Sequence, residues 1–152
     1  MGLRQKINDA LKTAMRERDK ARLSTLRLVS AAIKDRDIEL RGQGDDVTLS
    51  EDDILMILGK MVKQRRESAR AYEEGGRLEM AEKERQEISV IEEFMPRKLS
   101  DEETRAAVQA AIDATGAQSI RDMGKVMGAL KGRYNGQMDF GQVGPMVREH
   151  LG

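Results

Sequence analysis

The sequence has 152 residues, no cysteine, no tryptophan, a single histidine and a formal net charge of zero. A chain of this length buries about 70% of the surface that its unfolded form exposes, so a true core is expected. The lack of cysteine excludes disulfides, thiolate metal sites and cysteine nucleophiles. Because 36% of the residues are charged and only two are proline, the composition favours amphipathic helices over a sheet and predicts an all-α fold.

The charges are unevenly distributed along the chain. Residues 1–41 carry a net charge of +5, residues 42–103 carry −7 and residues 104–152 carry +2. A nucleic-acid partner would therefore meet local basic patches rather than a field of one sign. No stretch approaches the roughly 20 apolar residues of a membrane span, and the first residues lack the apolar run of a signal peptide. We therefore expect a cytoplasmic protein with no membrane partner.

The first two predicted helices are joined by a short connection. The first ends near Arg18, and Asp19 is placed to cap the second. The apolar face of the first helix consists of Leu3, Ile7, Ala10, Leu11, Ala14 and Met15. That of the second consists of Leu23, Leu26, Val29, Ile33 and Leu40. The run from Gly42 to Asp46 then breaks the pattern, and so tight a connection predicts an antiparallel hairpin.

Two further helices follow before the first proline. Ser50 and the acidic residues after it predict the start of the third helix, and Gly75-Gly76 its end. The third helix is expected to bury Ile54, Leu58, Met61, Val62, Ala69 and Tyr72. The fourth is predicted to begin at Arg77, to bury Leu78, Ala81, Ile88, Ile91 and Met95, and to be closed by Pro96. Residues 1–95 are thus predicted to form a four-helix hairpin or bundle part.

The chain after Pro96 predicts a small three-helix bundle over residues 96–152. Ser100 opens a capping box with Glu103, and Gly116 ends that helix. Ser119 is predicted to cap a helix from Ile120 to about Tyr134. Asp139 can cap a last helix, whose start is left open because Pro145 would remove a helical hydrogen bond.

Residues suited to catalysis or metal binding are scarce. There is no phosphate-binding loop, dinucleotide-binding glycine fingerprint or nucleophile elbow. The single histidine, His150, has no cysteine or second histidine with which to hold a metal. The many carboxylates fall on faces that the periodicity assigns to solvent. We therefore predict no catalytic residues, no metal and no cofactor.

The most informative segment is the helix from Ile120, where three glycines recur every four residues. Ile120, Met123, Val126, Met127, Leu130 and Tyr134 form its apolar face. Gly124, Gly128 and Gly132 form a stripe bordered by Lys125 and Lys131. Each glycine costs a helix interior up to about 1 kcal/mol relative to alanine, which suggests a close approach to the backbone. The group that approaches is either a neighbouring helix or a sugar-phosphate backbone whose charge the lysines neutralise.

The third helix carries a second basic surface. Lys60, Lys63, Arg66 and Arg70 lie opposite its apolar face, where they form either an ordinary solvated surface or a secondary binding patch. Arg65 falls within the apolar face. An unpaired buried charge would be costly, so we expect Arg65 to pair with a carboxylate or to extend to an edge.

Four stretches together resemble the YqeY family, also called GatB/YqeY-like proteins. They are Arg22–Arg27 with Ala31–Lys34, Lys63–Ser68, Met95-Pro96 with Leu99-Ser100, and Asp122–Gly128. The resemblance extends over essentially the whole chain. Its C-terminal third is also similar to the tail of the B subunit of the glutamine-dependent tRNA amidotransferase, a helical tRNA-binding element.

The resemblance implies a non-catalytic tRNA-binding or amidotransferase-related accessory protein. The residues expected at the RNA are Gly124, Lys125, Gly128, Lys131, Arg133 and Gly136. Two positions depart from the family pattern, since Gln137 replaces a residue that is commonly basic and Met138 one that is usually small.

Two other functions are consistent with the sequence. One is a protein adaptor that docks through residues 50–95 on a tRNA synthetase or an amidotransferase. The other is a carbon-nitrogen ligase with glutamine as amido donor, which only the family label suggests.

Overall fold

The computed structural model describes residues 2–44 and 48–152, and the chain divides into two compact units after Met95. The regular structure of the described residues is helical throughout, which confirms the all-α prediction. Asp45 and Asp46, part of the predicted break, lie outside the described residues.

The first unit contains helices α1 (Leu3–Glu17), α2 (Lys20–Arg41), α3 (Glu51–Glu74) and α4 (Leu78–Glu92). Arg18 ends α1 in the left-handed conformation with φ 56°, and the Asp19 side chain accepts a hydrogen bond from the Arg22 N–H. Both predicted boundaries of this connection are therefore confirmed. The core of the first unit contains Ile7, Val29, Ile33, Ile54, Leu58, Met61, Val62, Ile88 and Ile91.

Helices α1 and α2 form the predicted antiparallel hairpin. Arg4, near the start of α1, donates two hydrogen bonds of 2.9 and 3.0 Å to the Asp37 carboxylate, near the end of α2. The start of α1 is capped from another helix, because the Leu3 N–H donates to Glu51 Oε1 at 2.9 Å. A Cβ at Gly2 would lie 2.9 Å from that oxygen, so only glycine fits there without a shift.

Helices α3 and α4 pack as a second hairpin. Ser50 and Asp53 form a reciprocal capping box at the start of α3, and α3 ends before Gly75 as predicted. Two predictions for α4 were wrong. Leu78 is 67% exposed, because at the first turn of α4 it lies beyond the end of the core, and α4 ends at Glu92 rather than at Pro96.

The second unit, Pro96–Gly152, contains α5 (Asp101–Thr115), a 3₁₀ turn (Ile120–Asp122), α6 (Met123–Tyr134) and α7 (Phe140–Leu151). The capping box of Ser100 and Glu103, the helix end at Gly116 and the Asp139 cap are all confirmed. The three helices pack on one another around Val108, Ile112, Val126, Leu130, Val143 and Val147.

Two expectations for the second unit need correction, and the start of the last helix, which the sequence left open, is now defined. The Ser119 side chain makes no capping bond, and residues 120–122 form a 3₁₀ turn before α6 begins at Met123. Ile120 is 51% exposed, because it precedes the α-helical register that buries the rest of the apolar face. Pro145 lies inside α7, which nevertheless begins at Phe140. The proline removes one hydrogen bond, and the buried Gly144 and Val147 retain the helix by packing.

Candidate nucleic-acid interface

The glycine stripe of α6 faces solvent within its unit. Val126 and Leu130 are buried on the opposite side of the helix, against α5 and α7. Gly124, Gly128 and Gly132 are exposed, and a Cβ added at any of them would meet no atom within 4 Å. Close packing of α6 against a neighbouring helix therefore does not explain these glycines within the described chain.

Two lysines border the stripe as the sequence predicted. At about 100° per residue, Lys125 and Lys131 lie roughly 60° to either side of its centre. Both are exposed, and the Lys125 side chain retains 71% of its accessible surface. The Lys125 Nζ lies 4.0 Å from a carboxylate oxygen of Asp122. So loose and exposed a pair contributes little and leaves the ammonium group available to an anion.

Asp122 also belongs to this surface, although the sequence did not predict it as a site residue. Its carboxylate accepts a 3.0 Å hydrogen bond from the Gln118 N–H. That bond is the main cause of its lowered pKa, and the charge of Lys125 acts in the same direction. The Asp-x-x-Lys spacing is the sequence signal that indicates the pair. Asp122 therefore carries a negative charge at the start of the glycine stripe.

The structure does not bring Arg133 and Gly136 to the stripe. Arg133 lies roughly 140° around α6 from the centre of the stripe, and its guanidinium carbon is 5.4 Å from the centre of the Tyr134 ring. Gly136 has a positive φ of 83° in the loop between α6 and α7. That conformation explains the glycine, because other residues adopt it only with strain.

The two departures from the family pattern have structural roles here. The Gln137 side-chain amide donates a 3.1 Å hydrogen bond to the Arg97 backbone carbonyl, while the backbone carbonyl of Gln137 accepts a 3.0 Å bond from the Leu99 N–H. These bonds attach residues 97–99 to the loop before α7. Met138 is 9% exposed and fills the core of the second unit.

The basic patch on α3 is exposed, and one of its four residues, Arg66, is paired with a carboxylate. Lys60, Lys63, Arg66 and Arg70 are all exposed, and an Arg66 nitrogen lies 3.6 Å from the carboxylate of Glu92 on α4.

Arg65 is paired, as predicted. It donates a 2.9 Å bond to Glu87 and a 3.2 Å bond to the Met61 carbonyl. The two side chains are only 14% and 18% exposed, so this ion pair belongs to the packing of α3 on α4 rather than to the patch.

The described residues contain no cluster of three or more histidine or carboxylate side chains that could hold a metal. His150 is exposed and hydrogen-bonds the Met146 carbonyl of its own helix through Nδ1 at 2.9 Å. No helix within the described ranges combines the length and the apolar composition needed to cross a bilayer.

Comparison with known proteins finds relatives in fungi. An uncharacterized protein of Schizosaccharomyces pombe is 28% identical over 99 residues, which are 65% of this chain and 73% of that protein. "Altered inheritance of mitochondria protein 41, mitochondrial" of Eremothecium gossypii is 34% identical over 89 residues, 59% of this chain and 46% of the relative. The protein of the same name in Kluyveromyces lactis is 27% identical over 127 residues, 82% of this chain and 66% of the relative.

The match therefore spans about half the length of the Eremothecium protein, and these names specify no ligand or reaction. The family comparison covers far more of the chain. The model of the Yqey-like proteins matches residues 4–151, which include both helical units and the glycine stripe. The chain belongs to the family of Yqey-like proteins.

Proposed function

We propose that this protein binds tRNA through the glycine-striped face of α6 and acts as a non-catalytic accessory protein. The observation that carries the proposal is the exposure of Gly124, Gly128 and Gly132, at which added Cβ atoms would contact nothing. Glycine costs a helix up to about 1 kcal/mol at an interior position such as Gly128, and less at Gly124 and Gly132 in the end turns of α6. No packing within the unit recovers that cost, which favours an external partner that needs the bare backbone.

A sugar-phosphate backbone fits the shape and the charge of this face. Without side chains on the stripe, a strand can approach the helix surface, while Lys125 and Lys131 reach its phosphates from both sides. Such contacts read backbone shape rather than base sequence. The resemblance of this segment to the tRNA-binding tail of the amidotransferase B subunit supports tRNA as the RNA in question.

Arg133, Gly136 and the α3 patch have supporting parts in the proposal. Arg133 can add a phosphate contact away from the stripe, and Gly136 shapes the loop that follows α6. Lys60, Lys63, Arg66 and Arg70 would extend the footprint through the first unit. A cytoplasmic location is part of the same proposal, although two relatives are mitochondrial by name. Fractionation of cells that express the chain would decide the location.

The test is a charge reversal at the two bordering lysines in the full chain. We expect Lys125→Glu with Lys131→Glu to weaken tRNA binding about tenfold or more in a filter-binding assay at low salt, because two phosphate contacts become repulsive. The matched control is Arg105→Glu with Arg148→Glu, which makes the same change in net charge on exposed residues of the same unit. Circular dichroism should be unchanged in both variants.

Equal loss of affinity in both double variants would mean that only the net charge matters, which contradicts the proposal. Absence of tRNA binding by the parent protein at low salt contradicts it as well.

A protein adaptor is the second candidate, and one observation favours it. Between residues 50 and 95, Met56, Leu78 and Met80 are 64%, 67% and 43% exposed, and exposed large apolar side chains are common at protein interfaces. A synthetase or an amidotransferase would be the docking partner. Copurification that survives nuclease treatment would favour the adaptor, and loss of copurification after nuclease would favour the RNA-binding function.

A further inference from the structure

The outer face of α2 carries four basic residues at intervals of seven. Lys20, Arg27, Lys34 and Arg41 are all exposed, and we call them the α2 basic edge. An α-helix rises 1.5 Å per residue, so successive members lie about 10.5 Å apart and the edge is about 31 Å long. Its small drift around the helix keeps it clear of the buried face, which holds Leu26, Val29, Ile33 and Leu40.

These four cations differ from three of their basic neighbours on α1 and α2 in forming no ion pair within the described residues; Arg41 acts on Asp37 only as one of the charges that lower the pKa of that carboxyl. Arg4, Arg22 and Arg36 pair with Asp37, Glu93 and Glu39 at 2.9, 2.6 and 2.7 Å. In residues 2–44 and 48–152, by contrast, no member of the α2 basic edge forms an ion pair. These three cations are thus neutralised within the unit, while the α2 basic edge retains its charge for an external partner.

A line of exposed positions, uncharged except for Asp35, runs beside the α2 basic edge. Ser24, Leu28, Ala31, Asp35 and Ile38 follow one another at spacings of four and three residues, and we call them the α2 seam. All five are exposed, and Leu28 and Ile38 retain 45% and 64% of their accessible surface. Alternating spacings of four and three are those of a helix surface that contacts a second helix along its length.

The combination of seam and edge matches one flank of a helix pair. In such pairs, apolar residues at two positions of each seven-residue repeat contact the partner helix. The charged residues beside them determine which partner binds. The α2 basic edge occupies that flanking position at every heptad from Lys20 to Arg41. A complementary helix therefore needs apolar residues every three to four positions and carboxylates that repeat every seven residues.

The carboxylates and apolar side chains of this face disfavour a nucleic acid or an anionic membrane as its partner. Asp35 lies in the seam and Glu39 lies beyond it on the far border, so a phosphate backbone covering this face would meet two carboxylates, whereas the carboxylates of a helix with heptad spacing would lie over the α2 basic edge alone. Exposed Leu28 and Ile38 gain little from a phosphate backbone but gain from contact with apolar side chains. Two large apolar residues are also few for insertion into a lipid interface.

We infer that the α2 seam and the α2 basic edge together dock an acidic amphipathic helix of another protein. This surface lies on the first unit and is independent of the tRNA-binding face proposed on α6. The two can therefore be tested separately.

The experiment is site-specific photocrosslinking of the full chain in cells. The photoreactive residue p-benzoylphenylalanine replaces Ala31, an exposed residue at the middle of the seam, and in a control replaces Gln109, an exposed residue of the second unit. Adducts are digested and identified by mass spectrometry. We expect a protein adduct at position 31, mapped to a helical segment with carboxylates at heptad spacing, and no such adduct at position 109.

The charge dependence is tested in the same experiment. Arg27→Glu with Lys34→Glu should lower the yield of the adduct about tenfold, because two attractions become two repulsions. The matched control, Lys6→Glu with Lys12→Glu, alters two exposed lysines of α1 and should leave the yield unchanged. The tRNA affinity of the chain should be the same in both variants.

Several outcomes would overturn the inference. They are an RNA adduct at position 31, an adduct with a second copy of this chain, an adduct that maps to a basic or purely apolar segment, or no adduct above that at position 109. An adduct whose yield is insensitive to the reversal at Arg27 and Lys34 would overturn it as well.

Discussion

Gly128 in α6 is the position where fold stability and the proposed RNA binding should respond in opposite directions. It lies in the interior of a 12-residue helix, outside the positive-φ residues of the chain, and a Cβ there meets no atom within 4 Å. Gly128→Ala therefore adds helix propensity without a clash. We expect the free energy of unfolding to rise by about 0.5–1 kcal/mol, the usual difference between glycine and alanine in a helix interior.

The stability measurement is urea unfolding of the full chain, followed by circular dichroism. The matched control is Gly116→Ala in the same unit, because Gly116 has a φ of 66° that strains any residue with a Cβ. That control should lose about 1 kcal/mol by the same assay. A loss of stability in Gly128→Ala would refute the reasoning, since it would mean that the stripe is covered in the folded protein.

The binding measurement uses a larger side chain at the same position. Gly128→Leu should keep the helical spectrum, because the space above the glycine is open and leucine is a good helix former. The bulky side chain would hold a sugar-phosphate backbone off the helix, so the tRNA Kd should rise about tenfold, which corresponds to about 1.4 kcal/mol. Unchanged tRNA affinity in a folded Gly128→Leu variant would exclude the stripe as the contact surface.

Three other contacts make independent predictions. Arg65→Met should cost about 2 kcal/mol in urea unfolding, because it leaves the largely buried Glu87 carboxylate without its partner, and adding Glu87→Gln should recover most of the loss. Gln137→Ala should lower stability by about 1 kcal/mol through loss of its bond to the Arg97 carbonyl, and proteolysis near Arg97 should become faster. Hydrogen bonds, of which that from Arg97 has the largest effect, lower the pKa of Glu103 from 4.5 to about 2. The ionised Glu103 therefore contributes fully to the stability of the fold above pH 4.5, and this contribution is lost as the pH falls toward 2. Glu103→Gln should flatten that part of the acid-unfolding curve, and an unchanged curve would contradict the assignment.

Local sequence signals predicted the helix boundaries well. Asp19, Ser50, Ser100 and Asp139 cap helices as expected, because a cap depends on a few neighbouring backbone groups. Ser119 was the exception. Its helix begins with a 3₁₀ turn in which the Asp122 carboxylate, rather than the Ser119 hydroxyl, accepts a backbone hydrogen bond from Gln118.

The sequence also predicted the glycine stripe and its two lysines, but the meaning of the stripe needed the packing. Periodicity gives the side of a helix and does not say whether another element covers that side, so an internal helix contact and an open surface looked alike. In the structure α5 and α7 cover the side of Val126 and Leu130, and the glycines remain open.

Amino-acid order by itself determined the all-helical class and most of the caps, since these depend on contacts within a few residues. Tertiary structure decided the pairings that join distant parts of the chain. They include Glu51 capping α1 at the Leu3 N–H, Arg65 pairing with Glu87, and Gln137 attaching residues 97–99. It also decided which charges stay unpaired, because a cation's partner depends on which helix packs beside it. The sequence therefore shows the four residues of the α2 basic edge at intervals of seven, but only the folded structure shows that they form no ion pair within the described residues.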